Sequence, residues 1–65
     1  MLQPFQQRVV DEKKDLDLKI GALDAFWSNP LFETLLPEEK TLLERQSVAM
    51  KQYSSILGER ISAFT

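Results

Sequence analysis

The chain has 65 residues and neither cysteine nor histidine, which excludes a disulfide framework and argues strongly against a structural zinc site. Eight basic and ten acidic residues leave a net charge of −2. The two signs are interleaved, so there is no basic face of the kind a nucleic-acid polymer binds.

A chain this short makes one small domain, and without staples or metals such chains commonly depend on oligomerisation. No apolar run approaches the length that spans a bilayer, and the N-terminus lacks a signal-peptide pattern. The chain therefore reads as a soluble intracellular protein. Residues 1–3 form a tail, and Pro4 opens a helix predicted over about residues 4–27, because proline loses nothing at a first helical position. Leu2, Val9, Leu16 and Leu23 recur every seven residues, and Ile20, Phe26 and Trp27 widen the same face. Gln6, Gln7, Lys13, Lys14, Asp17 and Asp24 are assigned to the opposite side. Gly21 costs about 1 kcal/mol relative to alanine in mid-helix, unless it marks close approach by another backbone.

Ser28-Asn29-Pro30 is a stop, since residues ahead of proline leave the helical region and Ser and Asn favour caps. The connector spans about 28–36, with one short turn capped by Asn29 and with Leu31, Phe32 and Leu35 plugging the end of the hairpin. A second helix is predicted over about 37–64. Pro37 opens it, and Glu38 and Glu39 suit the positive end of its dipole. Leu43, Met50, Leu57 and Phe64 recur every seven residues along it, with Leu42, Ala49, Ile56 and Ala63 beside them.

The pattern predicts an all-α antiparallel hairpin with a short connecting helix, and no strand. Leu42, Ile56, Ile61, Phe64, Trp27 and Phe5 cannot all point into one seam, so the hairpins are expected to assemble into a homo-oligomer. Catalysis finds no support. There is no histidine, cysteine, glycine-rich phosphate loop or metal-ligand spacing, and the carboxylates are strung along helix surfaces. No cofactor is implied.

Polar residues inside the apolar stripes carry more information. Phe5, Glu12, Lys19 and Phe26 share one seven-residue line, and Gln46, Tyr53 and Arg60 share another. Charges there must pair, reach solvent or meet a ligand. One account is an interhelical Glu–Lys or Glu–Arg pair that sets register in the oligomer. The other is an anion site at a subunit junction, with Lys19 and Arg60 as cations and Phe5 or Tyr53 as a flat surface for a base. Arg8, one turn past Phe5, presents a guanidinium beside it. From the residues alone Phe5 reads first as oligomer packing, and Trp27 as a plug at the hairpin end.

PFQQRVVDEKKDLDLKIGALDAF and, after the loop, LPEEKTLLERQSVAMKQYSSILGERI resemble the anti-CBASS cyclic-nucleotide sponges of bacteriophages. The resemblance rests on an aromatic followed by Arg-Val, then Glu-Lys, Leu-Asp-x-Lys-Ile and Ala-Phe. Leu-Leu, Gln, Met-x-x-Tyr and Ile-Leu-x-x-Arg-Ile follow in the second half, so that it covers Phe5 to Phe64. It implies a compact helical homohexamer, without catalysis, that sequesters cyclic oligonucleotide second messengers in the host bacterial cytoplasm. Cyclic dinucleotides would sit in pockets shared between protomers, with Phe5 stacking on a base and Lys19 meeting phosphate. Where the family commonly has tyrosine this chain has Phe5, which keeps the stacking face and loses the hydroxyl. Cyclic trinucleotides would use separate pockets where three protomers meet, with Arg60, and Arg8 is a supporting residue. No DNA, RNA or membrane partner is implied. The alternative is a coiled-coil-like protein-interaction module with no small-molecule ligand; an enzyme inhibitor or DNA mimic fits less well, because acids are balanced by bases along each helix.

Overall fold

A computed structural model of the protein describes residues 1–64; Thr65 lies outside the described residues. Two long helices, α1 (Pro4–Phe26) and α2 (Pro37–Ser62), flank a short 3-10 turn, α-helical in neither pitch nor length, at Pro30–Thr34. Among the described residues there is no strand, in keeping with the all-helical expectation. Pro4 and Pro37 both stand at the first turn of their helices. The Gln3 N–H, otherwise orphaned, donates to the Gln6 side chain at 2.8 Å. Asn29 Oδ1 accepts from the Leu31 N–H at 2.9 Å, which caps the 3-10 turn. No helix among the described residues is long and apolar enough to cross a membrane.

The hairpin is antiparallel and forms a rod 47 Å long and about 15 Å across. Phe5 meets Phe64 at its open end, Glu12 meets Tyr53 and Lys13 meets Ser54 midway. At the closed end Trp27 and Phe26 pack edge-on against Phe32, with centroids 5.1 and 6.0 Å apart. The Lys40 ammonium sits 5.0 Å from the Phe32 centroid. Trp27 and Phe32 thus plug the hairpin, whereas Leu31 lies exposed.

The seam departs from the sequence expectation in which residues it buries. Val9 and Leu57 are the buried apolar side chains, and Leu57 is fully enclosed. The line that accompanies Leu43, Met50 and Leu57 is the one through Ser47, Ser54 and Ile61. Leu42 and Ile56, two of the residues that cannot all enter one seam, are exposed on the single hairpin. Small serines let two helices approach closely where leucine or isoleucine would hold them apart. Gln6 and Lys13, assigned to the outer face, are half-buried at the seam. Gly58 makes room for Lys13: a Cβ there would stand 3.3 Å from the lysine Cε. At Gly21 a Cβ would meet open space, so no other part of this chain approaches it.

Ser54 is satisfied by a closed triangle. The Lys13 ammonium donates to Ser54 Oγ at 3.0 Å and to Asp17 Oδ2 at 2.8 Å, and the Ser54 hydroxyl donates to the other Asp17 oxygen. Polar groups at a helix seam are tolerated when fully paired, and this pairing fixes the register of α1 on α2. The Lys13 hydrogen bond, and then that of Ser54, hold the Asp17 carboxyl below the ordinary carboxylate range. A depressed pKa contributes stability that is present above the unfolded value and lost as pH falls through the folded one. The gap in thermal midpoint between the parent and Asp17→Asn should therefore close as the pH is lowered below the ordinary aspartate value of about 3.9. A gap that stays constant would show that the carboxylate's charge is immaterial.

Candidate functional site

One face of α1 carries Arg8, Asp11, Glu12, Asp15 and Lys19, at the three- and four-residue spacing that stacks side chains on successive turns. Tyr53 rises from α2 to face them. Together with Leu16 these residues line an open groove of about 400 Å³. Two of the four residues singled out in the sequence, Arg8 and Lys19, thus share a single groove. Phe5 and Arg60 lie outside it.

Glu12 and Tyr53 cross the gap between the helices. The phenol donates to Glu12 Oε2, and this bond raises the tyrosine pKa above its ordinary value. Desolvation and the carboxylate's charge act in the same direction, while nearby Arg60 opposes them. Within the single hairpin Glu12 is thus held by a carboxylate–phenol pair. Among the described residues the ion pairs are Lys13–Asp17, Lys40–Glu33 and Lys51–Asp24. Neither Arg8 nor Lys19 is in one of them, so both charges remain available to an incoming anion. No group of three or more metal-ligating side chains occurs among the described residues.

Phe5 stands in the first turn of α1, its ring edge-on to Phe64 at 6.5 Å and 75°. It remains 53% exposed, so packing and a free face coexist. Fourteen residues separate it from Lys19, about 21 Å along the axis at roughly 1.5 Å per residue. Arg60 is exposed near the end of α2. In the sequence both Glu12 and Tyr53 lie on polar heptad lines, and nothing there joins them. The missing ingredient was the antiparallel register, which sets these two side chains opposite one another.

Comparison with known proteins adds an independent line. The family described as Sequestin matches residues 3–63. An uncharacterized 7.5 kDa protein from the denB–rIIB intergenic region of Enterobacteria phage T4 is 40% identical over 60 residues. That alignment covers 92% of this chain and 94% of the phage protein. No solved structure matches.

Proposed function

The chain belongs to the Sequestin family, and from that premise we propose that it is a phage anti-defence protein that sequesters cyclic di- and trinucleotide second messengers. It holds the messengers of the host CBASS system in the bacterial cytoplasm without degrading them. The observation that carries this reading is the groove, where Arg8 and Lys19 stand free of ion pairs beside a tyrosine. Local positive charge lets a protein of net charge −2 bind an anion.

Phe5 and Lys19 are too far apart to serve one base and its phosphate within a single protomer. Glu12 lies seven residues from each. Two α1 helices crossing antiparallel near Glu12 would set Phe5 of one protomer level with Lys19 of the second. A cyclic dinucleotide, with two bases and two phosphates around a ring, matches that two-fold arrangement. Exposed apolar residues supply the means of assembly: Leu18, Leu42, Val48 and Ile56 are each more than half exposed on the single hairpin. We assign these faces to the contacts of a homohexamer, and Arg60 to a second pocket, for cyclic trinucleotides, where three protomers meet.

The test is a thermal-shift titration with a panel of cyclic di- and trinucleotides. A ligand that binds only the folded state stabilises it by about 2.7 kcal/mol at a hundredfold excess over Kd. For a domain of this size that raises the midpoint by roughly 10 °C or more. No shift with any member of the panel would transfer the exposed apolar faces to the rival reading, a coiled-coil-like protein-interaction module.

A further inference from the structure

The groove contains more than its cations. Asp11, Glu12 and Asp15 share its walls with Arg8 and Lys19, which gives it more acid than base. A site built for phosphate alone would gain nothing from carboxylates, because they repel the ligand. Carboxylates become favourable when the ligand also offers hydrogen-bond donors, and Glu12 is the one held from the opposite helix, Asp11 being held by Gln7 of its own helix at 3.0 Å. Tyr53 reaches across from α2 and donates to Glu12 Oε2. Glu12 Oε1 accepts no hydrogen bond from the described residues. One oxygen is thereby fixed and its carboxylate remains an acceptor toward the groove.

The donors of a cyclic nucleotide separate by base. Guanine presents an imino N–H and an amino group side by side, a pair that a carboxylate accepts with both oxygens. Adenine presents one amino group next to ring acceptors, which a carboxylate repels. Ribose hydroxyls are the same in both, so they cannot discriminate. We infer that Glu12 is a specificity-determining residue that selects guanine-containing cyclic dinucleotides, and that Tyr53 is the positioning residue that orients its carboxylate. This rests on the sponge reading above and adds to it the preferred base.

Titration calorimetry on the intact oligomer, with cyclic di-GMP, cyclic di-AMP and the mixed guanine–adenine ring, tests the inference. The parent should bind the guanine ligands more tightly. Glu12→Gln should lose about tenfold to a hundredfold of its affinity for the mixed ring, the worth of one bidentate base contact, and more for cyclic di-GMP, which makes that contact twice. It should hold or gain affinity for cyclic di-AMP, since a repulsive charge has gone. Tyr53→Phe removes the tether and keeps the ring, so it should lose part of the same preference while the circular dichroism spectrum is unchanged. An equal loss for all three ligands would overturn the inference and make Glu12 a structural or ribose-binding residue. An equal gain for all three would overturn it too, leaving Glu12 as a plain repulsive charge. Binding by the parent without base preference would overturn this inference alone, whereas no binding at all would remove the sponge reading with it.

Discussion

Leu57→Ala is expected to lower the thermal midpoint by more than about 10 °C and to leave a large unfolded fraction at room temperature. Leu57 is the one fully enclosed side chain among the described residues, at the level of Val9 in the antiparallel register. Truncating a buried leucine to alanine costs about 2–5 kcal/mol, through lost transfer energy and the cavity left behind. The whole stability of a 65-residue chain is only about 3–10 kcal/mol, at roughly 0.05–0.15 kcal/mol per residue. One substitution therefore removes much of what there is. Circular dichroism at the helix band during a melt reads the effect directly, and a midpoint within about 3 °C of the parent would show that Leu57 is not the centre of the core. Ile56→Ala is the informative companion. On the single hairpin its side chain is half exposed, and surface changes cost within about 0.5 kcal/mol. A loss comparable to that of Leu57→Ala would place Ile56 inside an assembly.

These two neighbours also explain how far the sequence could be read. Proline at both helix starts, the Ser-Asn-Pro stop and the seven-residue spacing of Leu43, Met50 and Leu57 make an all-α, two-helix chain legible from residue types alone. The choice of flanking line was not legible. Hydrophobicity ranks Leu42 and Ile56 above Ser47 and Ser54, yet the fold buries the serines. Two facts outside any single helix decide the matter. Close approach of α1 and α2 favours small side chains, and Lys13 with Asp17 satisfies the Ser54 hydroxyl from across the seam. Lys13 looked like a surface lysine because its partners lie 41 positions away in sequence or on another turn of its own helix. The same limit applied at the groove. Arg8 and Lys19 are candidates from their spacing and from resemblance, whereas the pairing of Glu12 with Tyr53 needed the register of the hairpin.

Lys19→Ala should abolish cyclic-dinucleotide binding while the protein stays folded and assembled. Lys19 is exposed and holds no ion pair among the described residues, so its removal leaves no structural group unpaired. A charge-assisted hydrogen bond to phosphate contributes about 1.5–3 kcal/mol. A two-fold site presents the lysine twice, so a single substitution in the gene deletes about 3–6 kcal/mol, or roughly two to four orders of magnitude in Kd. Lys14→Ala is the control for mere loss of charge: that lysine is exposed, outside the groove, and equally cationic. Long-range attraction alone would make the two variants alike, and salt would weaken both. Contact at the phosphate makes Lys19→Ala far worse, and Lys19→Arg should recover part of the affinity because charge and reach are kept while the shape of the head group changes. Calorimetry gives the affinities, and sedimentation gives the assembly state of each variant. If Lys19→Ala binds within about threefold of the parent, the phosphate is held elsewhere, and Arg8 on the same groove is the next residue to replace.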